Sequence, residues 1–201
     1  MVVEHPEIFY DIVSDISSQT EGMSGDFILS KDYEPISLYK NAEIITQFVP
    51  FTANSKELLN KVYSFLGKEA VSETMIGRTY DLMSEIEIYI KELIDSVSVD
   101  LEAVPANDIS GLLKMFNVRF SDIDKSLPER LLDYMDASYV FLKRRVFFTV
   151  NLRSYINNDF TELFFRDVIS REITLICIEN YEHKKCSYET RLIVDNDGCV
   201  I

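Results

Sequence analysis

The chain is 201 residues long, 47% hydrophobic and 12% aromatic, a composition that excludes a disordered tail or a fibre and provides for a sizeable core. Its 20 Lys and Arg stand against 34 Asp and Glu, a formal charge of −14, which excludes a protein coated in nucleic acid, because duplex binding draws on cations that displace counterions from phosphates. Apolar runs stop at about eight residues, far short of the roughly 20 that cross a bilayer, and MVVEHPEIF lacks a basic region ahead of an apolar stretch, so a cytoplasmic protein without membrane span or signal peptide is expected.

Val2 and Val3 read as the end of a buried strand, and Pro6 opens an amphipathic helix with Ile8, Phe9, Ile12, Val13 and Ile16 on one face. Gly22 and Gly25 break the chain before FILS at 27–30, a polar segment with Pro35 follows, and EIITQFVPF at 43–51 reads as a second buried strand. From Ser55, a plausible cap, Leu58, Leu59, Val62 and Leu66 make a helical stripe that Gly67 interrupts. A longer helix is predicted over residues 76–97, where Ile76, Met83, Ile86, Ile90, Leu93 and Val97 fall mostly at three- and four-residue steps. That spacing serves either packing against another helix of the same chain or a seam between subunits.

VDLEAVPANDIS reads as extended, GLLKMF at 111–116 as a short helix, and residues 127–142 as a helix with Pro128 in its first turn. The last third alternates: strand VFFTV at 146–150, a helix over 159–169, strand ITLICI at 173–178 and strand TRLIV at 190–194. Such alternation implies an α/β fold with a largely parallel sheet. Residues 1–53 and 143–201 form its head and 54–142 an inserted helical leg with connecting segments.

Nucleotide hydrolysis in such a fold needs a glycine-rich turn followed by Lys and Ser or Thr. The Gly67-Lys68 pair has no upstream glycine at the right spacing and sits between two predicted helices, so no nucleotide cofactor is expected. The two histidines, His5 after a strand and His183 in a polar loop, belong to no nucleophile motif, and no catalytic residue is assigned. Cys177, Cys186 and Cys199 contain no CxxC pair, which supports neither a disulfide framework nor a zinc ribbon; Cys177, inside ITLICI, reads as a small core residue.

Two charged features remain. Asp100, Glu102 and Asp108 lie in the extended connection, where flexible backbone and carboxylates suit calcium, or equally form part of a solvated acidic face. Residues 1–125 carry 10 basic and 22 acidic residues, whereas 126–201 carry 10 and 12, including the run Lys143, Arg144 and Arg145. That run either complements a helix C-terminus or contacts phosphates without reading sequence, together with Arg153, Arg166, Arg171, Lys184 and Lys185 around a common opening.

The C-terminal pattern VFFTVN, RSYINNDFTELFFRDVI, ITLICIEN and RLIVDNDGCVI resembles the Csn-two family, the accessory protein of type II-A CRISPR spacer acquisition. Asn151, Tyr155, Ile156, Glu162, Leu163, Glu179, Asp195, Asp197 and Cys199 occupy the places of its closing motif. Upstream, VEHPEIFYDIV is similar to the family's strand and helix, EIITQF to its next strand, and LLKMFNVRF to its short helix with a following strand.

The resemblance implies a degenerate P-loop-ATPase-like head without working nucleotide motifs, a helical leg, and a ring-shaped homotetramer around linear double-stranded DNA, supported by calcium. It carries calcium onto Asp100, Glu102 and Asp108 and makes the leg seam an assembly surface. On this reading the protein is a non-enzymatic binder of DNA ends that accompanies the CRISPR integrase and effector proteins, with Lys143, Arg144, Arg145 and Arg153 as phosphate contacts and Lys184 and Lys185 beside them. Two other classes compete: a protein-interaction module on an inactive ATPase-like fold without DNA binding, and a metal-dependent nuclease, which lacks a paired Asp/Glu and Lys motif on adjacent strands.

Overall fold

In a computed structural model, which describes residues 1–105 and 108–201, the short buried strand Val2–Val3 (β1) hands the chain to helix Pro6–Thr20 (α1) through Glu4 and His5. Pro6 fits this start because its missing N–H would have had no helical partner. A small antiparallel hairpin, Ser30–Lys31 (β2) with Glu34–Pro35 (β3), turns through Asp32 and Tyr33, both at positive φ. Helix Leu38–Asn41 (α2) then leads into strand Ala42–Ile45 (β4). The expected strand over 43–51 thus ends at Ile45; Gln47 is exposed and Pro50 has no N–H to offer a ladder.

The chain divides into two units, Met1–Ala53 with Ser121–Ile201, and Asn54–Phe120. In the first, helix Leu127–Ala137 (α6) starts at a capping box: Ser126 Oγ serves the N-terminus while the Ser126 amide donates to Glu129 Oε2 at 2.7 Å. It continues as a π-turn over Ser138–Leu142. Strand Val146–Val150 (β5), helix Asn158–Ser170 (α7) and strand Thr174–Ile178 (β6) follow as a βαβ unit. Asn157 caps α7, its side chain accepting from Phe160 N at 2.9 Å.

The strands β4, β5 and β6 form a parallel sheet in that order, Ile44 opposite Phe148 and Phe148 opposite Ile176. A second parallel pair joins β1 to Ile193–Val194 (β7), and a bridge from Val2 to Glu179 ties β1 to the end of β6. The fold is therefore mixed α/β with small, mostly parallel sheets and, among the described residues, seven α-helices. Alternation along β5 divides its side chains: Val146 and Phe148 enter a core with Ile16, Leu38, Ala42 and Ile178, while the equally buried Phe147 takes the other face. On that face α6 packs against α7, and α7 against β6. Fixing Leu127–Ala137 in this unit corrects the expected leg boundary at 142: the helix buries Leu131 and Met135 completely.

The second unit contains helices Lys56–Ala70 (α3), Ile76–Asp95 (α4) and Ser110–Met115 (α5). Ser55 caps α3, its Oγ accepting from Leu58 N at 3.2 Å. The helix runs through Gly67, where the expected stripe broke; a glycine inside a helix costs about 1 kcal/mol and does not end a helix by itself. Gly67-Lys68 is thus helix and not a phosphate loop. Tyr63 Oη donates to Val118 O at 2.8 Å, and the Asn54 amide clasps Phe120 at both backbone positions, 2.8 and 3.1 Å. These side-chain bonds stand where a strand after α5 was expected; none occurs over 117–126. The expected extended stretch between α4 and α5 holds no helix or strand from Leu101 to Pro105, and its Ala106 and Asn107 lie outside the described residues.

Candidate nucleic-acid interface

The basic run 143–145 follows the π-turn and enters β5 at its amino end. Lys143 adopts a left-handed conformation, φ 63° and ψ 21°, the shape that stops a helix and is normally left to Gly or Asn. Its side chain is exposed and makes no bond among the described residues. Arg144 turns inward: Nη1 lies 3.1 Å from Glu43 Oε2 on β4, with only 18% of the side chain exposed. The same carboxylate accepts from Tyr134 Oη of α6, and burial together with the Glu43 charge raises the Tyr134 phenol well above its ordinary value. Arg145 is exposed, donates to Tyr139 Oη at 2.6 Å and stacks 4.6 Å above the Tyr139 ring.

Arg153 lies beyond the other end of β5 and is buried, its side chain 4% exposed. Its guanidinium bonds Glu189 Oε2 at 3.2 Å and the Lys184 carbonyl at 2.5 Å. Arg153 is thus enclosed and committed, where the sequence reading expected an exposed phosphate contact. Lys184 and Lys185 are exposed on the loop it holds and line a recess of about 200 Å³ with Asn158, Asp159 and Glu162. Hydrogen bonds from Ser187 hold the Glu162 carboxyl below its usual range.

The six candidate residues therefore do not form one patch. Lys143 and Arg145 mark the amino end of β5; Lys184 and Lys185 stand past the carboxyl end of β6, about five residues or roughly 17 Å of strand away. Arg166 pairs with Asp167 at 3.1 Å and Arg171 with Asp136 at 3.0 Å, both on the surface.

The carboxyl end of β6 also carries an ionic cluster. Glu179, the residue after the strand, accepts from Arg153 N at 3.2 Å, and Arg191 bridges Glu182 at 2.5 Å and Glu189. Glu179 entered the sequence reading only through the family resemblance, and Glu189 and Arg191 not at all; the usable signal is a lone carboxylate directly after the apolar run LICI. Burial pushes the Glu179 carboxyl up to about 7 despite the nearby Arg153, and lowers the His183 imidazole. Burial also pushes the Cys177 thiol up to about 12, the opposite of what a nucleophile needs. His5 precedes α1 without capping it through its side chain.

Asp100 and Glu102 are exposed, and Asp108 Oδ1 is engaged by the Ser110 amide at 2.7 Å. Among the described residues no group of three His, Cys, Asp or Glu is gathered for a metal. Calcium takes six to eight oxygens, more than these three carboxylates supply by themselves.

Fold and site define a mixed α/β protein with exposed cations at both ends of a parallel sheet and, among the described residues, no glycine-rich phosphate loop. Residues 19–198 match the family described as CRISPR-associated protein (Cas_Csn2), and the chain belongs to that family. No curated protein matches the chain. No helix among the described residues is long and apolar enough to cross a membrane.

Proposed function

We propose that this CRISPR-associated protein binds linear double-stranded DNA ends without reading their sequence and without catalysing a reaction, as a homotetrameric ring that serves spacer acquisition in the cytoplasm beside the integrase and effector proteins. The observation that carries the DNA reading is the exposure of Lys143, Arg145, Lys184 and Lys185 on a chain whose other arginines named above are engaged by carboxylates or buried. Four cations suffice for a backbone contact that is sequence-independent and salt-sensitive. The ring is supported by α4, a 20-residue helix with no buried residue and with Ile86, Ile90 and Leu93 exposed.

The first unit is proposed to be a degenerate relative of P-loop ATPases. The connection from β1 to α1 is only Glu4 and His5, with no glycine whose amides could cradle a phosphate. Calcium enters the proposal as an effector of assembly, with no site assigned to it in a single copy.

A gel-shift comparison of linear duplex with the same sequence as a covalently closed circle, in calcium and then in chelator, tests the reading. Retention of the linear form alone supports a ring threaded by ends, and its loss in chelator supports the calcium part. Binding to neither form favours the second reading, a protein-interaction module, which the exposed apolar face of α4 also supports.

A further inference from the structure

The loop 181–189 contains no helix or strand, yet it carries the two lysines at the carboxyl end of the sheet. A loop without a backbone ladder keeps adjacent side chains in one place only where other groups fix it, because each ordered residue costs conformational entropy. Arg153 supplies that fixation from inside. Nη2 donates to the Lys184 carbonyl at 2.5 Å and lies 3.5 Å from Cys186 Sγ, while Nη1 bonds Glu189 Oε2 at 3.2 Å. The other oxygen of Glu189 accepts from Cys186 N at 3.1 Å, so one planar guanidinium ties three successive points of the loop.

Arg153 is itself held. Its amide donates to Glu179 Oε1 at 3.2 Å, and its guanidinium lies 6.0 Å from the centre of the Phe165 ring on α7. From the outer side Glu162, also on α7, takes the Ser187 amide with both oxygens, at 3.1 and 3.0 Å. The loop backbone is thus pinned on two sides while the Lys184 and Lys185 side chains remain in solvent.

We propose that Arg153 is a positioning residue: without touching DNA, it clamps the loop 181–189 so that Lys184 and Lys185 are presented together at the carboxyl end of β6. The clamp rests on geometry alone; its consequence for affinity rests on the DNA-binding reading above. A lysine at 153 does not reproduce it, because a single ammonium on a flexible stem does not span the Lys184 carbonyl and the Glu189 carboxylate as a planar fork does.

The test uses the full chain and two readouts: the rate of native-state trypsin cleavage after Lys184 and Lys185, with cleavage after Arg130, in α6 of the same unit, as a control for unfolding of that unit, and retention of linear duplex over a salt series. Arg153→Gln and Arg153→Lys are expected to speed cleavage at Lys184 and Lys185 by roughly tenfold with Arg130 unchanged. In binding, Lys184→Ala with Lys185→Ala should flatten the salt slope by about two, and adding Arg153→Gln to that pair should cost nothing further. Should the Arg153 variants not fold, Glu189→Gln, which removes one anchor of the fork, is expected to give the same local cleavage.

Equal cleavage at Lys184 and Lys185 in the wild type and the variants overturns the clamp. An Arg153→Gln affinity loss that is undiminished in the Lys184→Ala, Lys185→Ala background overturns the positioning role. A wild-type chain that retains no DNA sinks the DNA reading instead, and the trypsin rates still decide the clamp.

Discussion

Glu179 Oε2 and His183 Nε2 lie 3.3 Å apart just beyond β6, yet neither buried atom has a hydrogen bond of acceptable geometry. Burial disfavours a charge on either group, which raises the Glu179 carboxyl and lowers the His183 imidazole.

The pH dependence of stability follows from Glu179. Its carboxyl titrates at about 7 in the fold against an ordinary 4.5, so the native state holds the proton more tightly than the unfolded chain. Its contribution is fully present below pH 4.5 and is lost as the pH rises through 7. His183 acts oppositely, because its lowered imidazole disfavours the proton that the unfolded chain would take up at acid pH. Arg153 acts on Glu179, and Arg153, Arg191 and Glu189 act on His183. Glu179→Gln is expected to flatten the fall in stability between about pH 4.5 and 7, by up to about 3 kcal/mol. An unchanged slope in thermal melts of the variant would count against a raised carboxyl.

Arg144 and Arg145 separate into a structural and a solvent-facing cation. Arg144→Ala removes the cation beside Glu43 and Tyr134 and should destabilise the fold by about 2 kcal/mol. Measured on the folded fraction, its DNA affinity should stay near wild type. Arg145→Ala forfeits the Tyr139 stack and the exposed bond to Tyr139 Oη, about 1 kcal/mol together, and should weaken DNA retention at every sequence tested. The reverse pattern in melts and gel shifts would remove Arg145 from the interface.

Lys143 sits at φ 63°, where a Cβ is strained. Lys143→Gly is therefore expected to raise stability by about 1 kcal/mol while lowering the salt slope of DNA binding by about one. Denaturant melts and a salt titration read the two effects separately; a variant that loses stability would contradict the backbone argument.

Much of the fold is legible because its signals are local. VFFTV and TLICI are short runs of apolar and β-branched residues that suit a covered parallel strand, and Pro6 followed by Ile8, Ile12 and Ile16 announces α1. The hairpin β2–β3 and helix α2 are two to four residues per element, too short for any periodicity to register. The interface was less legible. A charged residue in a sequence reads as exposed by default, and what buries Arg153 is Glu189, 36 positions later, and a carbonyl, 31 positions later, whose direction no residue type encodes. Arg144 is similar, paired with Glu43 across 101 positions by the register of β4 on β5.

The last prediction concerns α4. Its stripe at three- and four-residue steps lets the sequence pack either inside its own chain or against another, and in this chain no residue of the helix is buried. Ile86, Ile90 and Leu93 keep more than a third of their surface exposed, and Met83, Ile86, Ile90, Ile94, Leu101 and Val104 line a groove of about 470 Å³ within the same unit. An apolar stripe left in water by the fold is a cost that association removes, at about 25 cal/mol for each Å² covered. Ile86→Glu with Ile90→Glu places two charges in that stripe without emptying any buried site, so the melting temperature of the dilute chain should barely move. Light scattering behind size exclusion should show the wild type as a discrete oligomer and the double variant as a smaller species. If the variant instead keeps the wild-type mass, α4 is not the assembly surface; if it loses the oligomer and DNA retention together, ring formation and end binding are one property of the chain.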